Sequence, residues 1–307
     1  MWDFNLLTAT RSIEASMPFL LYRLVVYLGV SLAYLFSALA GAGTAIAFAS
    51  FSANPTALAS LGAVIGFVGC GVLLHKLRAD LFFNVKAGHL VLLAEQVKGA
   101  KLPEGKVQIE YAKHNALQRF GSPAIFFQVT RSTRQVLTAL PRKYWPFLHS
   151  IKNETIAKCL AYLTGCLAAT SDQAILTLHL LQNRENPWRS AQTGLILQAR
   201  HFLWLLKNRL YLLLFEYLGL LAAFALILVP VSNIAAALPV SVGVWRFVFT
   251  LVFAWSLKAT FFESIATAAM TRLYSELVAR EATATAAETE ELERLSEAFA
   301  TIREKAA

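Results

Sequence analysis

The sequence of 307 residues has few charged side chains. Asp, Glu, Lys and Arg make up 15% of it, whereas a soluble globular domain carries about 25%. Apolar and aromatic residues account for 57%, and the mean hydropathy is +0.53. These values exclude a soluble globular chain, a disordered chain and a collagen-like chain. They predict an integral membrane protein whose apolar surface faces lipid.

Cysteine and catalytic motifs are also scarce. The three cysteines, Cys70, Cys159 and Cys166, form no Cys-x-x-Cys pair and no Cys/His spacing that suits a metal. The nucleophile elbow, the zinc-protease motif, the P-loop and the dinucleotide fingerprint are all absent in usable context. We therefore expect neither a metal nor a cofactor, and the sequence gives no support for an enzyme.

Acidic residues are fewer than basic ones and are spread unevenly. The chain has 28 Lys and Arg against 19 Asp and Glu. Residues 75–158 hold fourteen basic and five acidic side chains, while the tail from Glu281 holds three basic and seven acidic ones. A basic excess beside apolar segments indicates membrane orientation and attraction to anionic lipid headgroups. No aromatic-basic recognition module accompanies it, so we do not expect nucleic acid as a partner.

Long runs without charge predict four membrane spans, since about 20 apolar residues cross a bilayer. Leu24–Leu74 has no charged residue and is interrupted at Asn54-Pro55, which predicts spans over 24–51 and 57–77 joined by a tight turn at 52–56. Leu210–Val229 and Val244–Arg272 predict two more, joined by a charge-free turn at 230–243. The expected fold is an all-α polytopic integral membrane protein with two transmembrane hairpins and amphipathic or re-entrant helices on the cytoplasmic side.

Four regions follow from this pattern. Residues 1–77 form an N-terminal helix and the first hairpin, 78–208 a basic cytoplasmic or interfacial helical region, 209–275 the second hairpin, and 276–307 an acidic C-terminal helix. Within the basic region, 119–140 and 158–183 either span the membrane or lie at its interface, and we prefer the interface. The positive-inside rule predicts that both termini lie in the cytoplasm. The protein itself is expected in the inner membrane of the cell.

Asp172 lies at the centre of the apolar segment 158–183. On a helix it shares one face with His179 and Asn183. Because burying a carboxylate in a membrane is costly, such a residue is a candidate functional site. In one interpretation Asp172 faces a polar cavity, with His179 and Asn183 beside it, and binds a cation or proton. In the other, the segment lies at the interface and Asp172 pairs with a nearby arginine.

The last two spans carry three further charged residues. Glu216 and Lys258 are predicted at similar depths in antiparallel helices, where an ion pair would lower the cost of burying both. Glu263 lies on a face of small and polar residues; it either lines a hydrophilic path with Asp172 or meets an arginine or solvent at the rim. Four basic residues are predicted to contact lipid headgroups: Arg131, Arg134, Arg142 and Lys143.

Three motifs follow one another between residues 115 and 280. They are Phe120-Gly121-Ser122 with a basic end at Arg131 and Arg134, Gly165-Cys166 with Ser171, Ala174 and Leu180-Leu181-Gln182-Asn183, and Phe261-Phe262-Glu263-Ser264 with Leu273-Tyr274-Ser275-Glu276. In their order and rough spacing these motifs resemble the C-terminal half of the choline transporter-like family. The resemblance implies a transport-type membrane core, and it assigns no substrate-binding residue.

Two functions fit these features. The first is a transporter or channel subunit for a small solute, with an organic cation as the candidate class. A homo-oligomer is then expected, because four spans supply few walls for a cavity. The second is a non-transporting scaffold that organises a protein complex or anionic lipid through its basic middle and acidic tail. A cavity at Asp172 or Glu263 would favour the first, and burial of both in ion pairs the second.

Overall fold

The computed structural model describes residues 2–48, 55–145, 153–237, 243–280 and 285–307. Within these ranges every regular element is a helix, which confirms the all-α fold. The helices are α1 (Leu6–Ala15), α2 (Met17–Phe48), α3 (Pro55–Val97), α4 (Gly105–Phe120), α5 (Pro123–Tyr144), α6 (Glu154–Leu181), α7 (Pro187–Arg200), α8 (Phe202–Ala237), α9 (Trp245–Leu257), α10 (Glu263–Arg280), α11 (Ala286–Leu295) and α12 (Glu297–Ala306). A π-helical turn, Lys258–Phe262, joins α9 to α10.

Among the described residues, four helical segments are long and apolar enough to cross a membrane: Met17–Phe48, Ala57–Val97, Phe202–Ala237 and Trp245–Arg280. Each contains or overlaps one of the predicted spans, so the protein is a multi-pass all-α membrane protein. The segments have 32 to 41 residues, well beyond the roughly 20 that a bilayer needs. Each helix therefore continues past the apolar stretch that the sequence pattern marked.

The two predicted turns have different outcomes. The first, 52–56, falls largely on residues 49–54, which lie outside the described ranges. The second was expected to begin at Pro230, but α8 continues through this proline as far as Ala237. Proline lacks the amide hydrogen and disfavours a helix interior. Here seven further residues extend the helix beyond it, and the remainder of the turn, 238–242, is outside the described ranges.

The chain forms two compact units. Unit 1 comprises Met1–Leu20, Phe83–Tyr217 and Phe261–Ala307. Its core surrounds the second half of α6, in which every residue from Thr170 to Leu180 is buried. The first half of α6 is mostly exposed, including Ile156, Tyr162 and Leu163. The N-terminal half of α6 is thus exposed, and its C-terminal half lies in the core of unit 1.

The acidic tail packs on unit 1. Leu292, Phe299 and Ile302 are buried, as expected for a docked helix. The tail was predicted as one helix, and it instead forms α11 and α12 with a break at Ser296, whose extended backbone ends the first helix. Thr285 caps the start of α11 and forms a capping box with Glu288, an arrangement that satisfies free amides at a helix start.

Unit 2 comprises Leu21–Phe82 and Leu218–Thr260. Glycines bring α2 and α3 into backbone contact: a Cβ added at Gly66 would lie 2.0 Å from the Ser37 carbonyl oxygen. Small residues allow such an approach between membrane helices. Ser31 and Ser256 link α2 to α9 by a 2.6 Å hydrogen bond between their hydroxyls. In the π-turn, the Ala259 carbonyl accepts a 2.7 Å hydrogen bond from the fully buried Arg23.

Candidate functional site

Asp172 on α6 pairs with Arg134 on α5. Arg134 donates through Nε at 2.7 Å and lies 2.6 Å away through Nη2, both to carboxylate oxygen Oδ2. The Asp172 side chain is fully buried, whereas the Arg134 side chain is 41% exposed. The second oxygen, Oδ1, is buried and accepts no hydrogen bond. The ion pair is therefore closed on the carboxylate side and open to solvent on the guanidinium side.

Burial controls the titration of this pair. Loss of solvent raises the pKa of Asp172 to about 6, and the attraction of Arg134 limits the rise. Lys86 on α3 contributes a smaller opposing attraction. The same pairing raises the pKa of Arg134 above its ordinary value. Asp172 is thus a carboxyl group whose proton affinity lies within reach of physiological conditions.

Glu263 reaches the same cluster from α10. Its Oε1 accepts a 3.1 Å hydrogen bond from Nε2 of Gln173, the residue that follows Asp172. Glu263 is also a lesser cause of the raised pKa of Arg134. Through Gln173, Glu263 on α10 is linked to the turn of α6 that carries Asp172. We call Arg134, Asp172, Gln173 and Glu263 the carboxylate cluster.

A second ion pair lies within α8. Arg209 donates to Oε1 of Glu216 at 2.7 Å, and both side chains are buried. Thr170 donates to the same oxygen at 3.3 Å. Arg209 is not among the predicted site residues, although residues seven apart return to nearly the same face of a helix. That spacing is the signal that would have found it.

The predicted partner of Glu216, Lys258, belongs to unit 2. Its side chain is buried, and its ammonium nitrogen lies 4.9 Å from the centre of the Trp255 ring. This distance suits a cation–π contact. The Glu216–Lys258 pair itself stays a prediction.

His179 and Asn183 do not join the carboxylate cluster. They follow Asp172 by about 10 Å and 16 Å along the helix axis at the usual rise. His179 Nε2 lies 3.0 Å from the Arg119 carbonyl oxygen, and burial lowers the pKa of the ring. Asn183 is exposed with a φ of 54° just after α6, a conformation that commonly ends helices. Both residues have local structural roles here.

The four basic residues predicted to contact headgroups divide into two pairs. Arg134 binds Asp172, and Lys143 forms a 2.8 Å ion pair with Glu291 of the docked tail. Arg131 and Arg142 are exposed. Arg131 and Arg142 are thus the two whose ion pairing the structure does not describe, and headgroup contact by all four residues stays a prediction.

A small cavity and an open groove lie near the carboxylate cluster in unit 1. A cavity of about 30 Å³, roughly the space of one water molecule, is lined by Ser171, Gln198 and Arg209 among apolar side chains. An open groove of about 370 Å³ runs between α5 and the exposed half of α6. Neither hollow is lined by Asp172 or Glu263. In the described residues, no three His, Cys, Asp or Glu side chains group as metal ligands would.

Comparisons of the chain with protein-family models, with curated proteins and with solved structures found no match.

Proposed function

We propose that this protein is a transporter or channel subunit for a small solute, with an organic cation as the solute class. The observation that carries the proposal is the carboxylate cluster, in which Asp172 pairs with Arg134 and Glu263 accepts a hydrogen bond from the adjacent Gln173. Carboxylates on two neighbouring helices are groups that a cationic solute would bind. The resemblance of residues 115–280 to the choline transporter-like family supports the same class.

Arg134 occupies the place that a cationic solute would take. Its guanidinium binds Oδ2 of Asp172 from the solvent side, and 41% of its side chain is exposed. Rotation of Arg134 into solvent would open Asp172, whose Oδ1 already lacks a partner. A cation that enters would then replace the charge of Arg134, so the solute and the arginine compete for one carboxylate.

The arrangement of the termini supports the proposed location. Residues near the N-terminus and the whole C-terminal tail belong to the same unit 1, as expected if both termini lie on one side of the membrane. Because residues 75–158 carry a basic excess, the positive-inside rule favours the cytoplasmic side of the inner membrane for both termini.

Arg131 and Arg142 are the candidates for contact with anionic headgroups on that side. A homo-oligomer would supply the additional walls of a transport path.

Uptake into liposomes tests the proposal. We expect the purified full-length protein to take up labelled choline above protein-free vesicles. Asp172→Asn and Glu263→Gln should each lower the initial rate by about tenfold, the effect of losing about 1.4 kcal/mol of solute stabilisation. Glu154→Gln is the matched control, because Glu154 lies on the same helix as Asp172 but is exposed. Unchanged uptake in both cluster variants would contradict the proposed role.

The scaffold is the second candidate, favoured by the closure of Asp172 under Arg134 and by the absence of both carboxylates from the two hollows described above. A scaffold predicts no uptake above protein-free vesicles in any variant. It also predicts that Asp172→Asn lowers thermal stability without another measurable effect, since the ion pair would then serve only to hold α5 against α6.

A further inference from the structure

Unit 2 carries an apolar groove with a basic end. It has a volume of about 430 Å³ and runs along α3, with Tyr34 of α2 at its side. Phe67, Val68 and Val72 give it an apolar lining. Gly71 keeps it open, because a Cβ at this position would lie 3.3 Å from the Tyr34 hydroxyl oxygen. The groove is thus an apolar slot on a helix that crosses the membrane.

One end of this slot is basic. His75 and Lys76 line it, and Arg78 lies one turn from His75 with its Nη1 3.5 Å from the imidazole Nδ1. All three side chains are exposed. Asp80 is the nearest acidic residue along the chain and is also exposed. The end of the groove therefore has an excess of positive charge even when Asp80 is counted.

The basic end lies at the depth of a headgroup. Lys76 follows Ala57, the first residue of the span, by nineteen residues, a rise of about 28 Å. The hydrocarbon core of a bilayer is about 30 Å thick. With Ala57 at one edge of the hydrocarbon core, the apolar lining falls within the core, and His75, Lys76 and Arg78 fall at the level of the lipid phosphates.

We propose that this groove binds an anionic phospholipid, with one acyl chain along Phe67–Val72 and the phosphate held by Lys76 and Arg78. An acyl chain suits the apolar lining of the slot. A net negative headgroup matches its basic end, whereas the ammonium of a zwitterionic headgroup would be repelled there. The site is separate from the carboxylate cluster and does not depend on the proposed transport function.

Native mass spectrometry of the full chain in detergent tests this site. With added phosphatidylglycerol, we expect one tightly retained lipid per chain, and with phosphatidylcholine none. Lys76→Gln and Arg78→Gln should weaken retention by about fivefold for each charge removed. Lys158→Gln, an exposed lysine of α6, is the control for a general loss of charge.

The groove itself is tested by filling it. Val72→Trp should abolish retention of the lipid, whereas Leu73→Trp should leave it unchanged, because Leu73 is equally exposed on α3 but does not line the groove. Thermal unfolding of each variant shows that the chain is folded. Equal retention of both lipids, or equal retention by the two tryptophan variants, would overturn the proposal. A change from oligomer to monomer in Val72→Trp alone would instead identify the occupant as a second copy.

Discussion

At the scale of single residues, Asp172 and Arg134 differ sharply in their access to solvent. Pairing with an arginine is what the second interpretation of Asp172 expects, but the identity of the arginine was not predictable. The partners lie 38 residues apart, and the pair exists because α5 packs against α6. The sequence marked Asp172 and Glu263 through their rarity in apolar segments. Gln173, which follows Asp172 and donates a hydrogen bond to Glu263, could not be singled out from the sequence. Uncharged amide side chains are common in helices, so its presence there carries no signal.

Unequal exposure predicts unequal effects of removing each partner. Arg134→Gln should lower the free energy of unfolding by about 3 kcal/mol, because it leaves a buried carboxylate unpaired. Asp172→Asn should cost less, since Arg134 can turn to solvent, and the double variant should recover part of the loss. Unfolding in mixed micelles with increasing SDS measures these values. Lys158→Gln, which breaks an exposed pair with Glu154, should change stability by less than about 1 kcal/mol. Equal losses for Arg134→Gln and the double variant would contradict this account.

At the scale of elements, charge-free runs located the four membrane-spanning helices found in the described part of the chain, but not their ends. Predicted spans stop where charged residues begin, yet α3 continues past Lys76 to Val97 and α8 past Pro230 to Ala237. The distribution of charged residues predicts which part of a helix lies in the hydrocarbon core. The helix itself ends where its backbone hydrogen bonds end. Contacts between elements, such as the approach of α2 to α3, depend on which glycine faces the neighbour and could not be read from composition.

The glycines of α3 allow a matched test of that approach. Gly66→Val should destabilise unit 2 by about 1–3 kcal/mol, because the new side chain would meet the Ser37 carbonyl and separate α2 from α3. Gly69→Val carries the same change in helix propensity but meets nothing within 4 Å. Unfolding in SDS micelles should therefore show a loss in the first variant that is absent in the second. A similar loss in both would mean that the contact contributes nothing.

At the scale of the whole molecule, the uneven distribution of charge corresponds to a physical contact. The acidic tail docks on basic residues of unit 1: Arg200 forms two 2.8 Å hydrogen bonds to Glu288, and Lys143 pairs with Glu291. The sequence showed the complementary charges and the apolar stripe of Leu292, Phe299 and Ile302. It did not show which surface receives them, because α5 and α7 form that surface only after folding.

Docking of the tail should depend on pH through Glu288. Hydrogen bonds from Arg200 and Thr285 lower the pKa of this carboxyl group from 4.5 to about 2. Since the folded pKa is lowered, the contribution to stability is complete above pH 4.5 and is lost as the pH falls through about 2. The protection of α11 and α12 against hydrogen exchange, relative to the intrinsic exchange rate at each pH, should therefore fall across this window in the wild type. Glu288→Gln should show faster exchange already at neutral pH, and Glu297→Gln, in the next helix, should not.

The π-turn at Lys258–Phe262 has a consequence for recognising this site in other sequences. A π-turn accommodates more residues per turn than an α-helix does. A chain with one residue fewer in this segment would continue as an α-helix, and every later side chain would be rotated by about 100°. Relative to α9, Glu263 would then lie on a different face of the helix. The length of this short segment, as much as the presence of a glutamate, therefore sets the face of α10 on which this carboxylate lies.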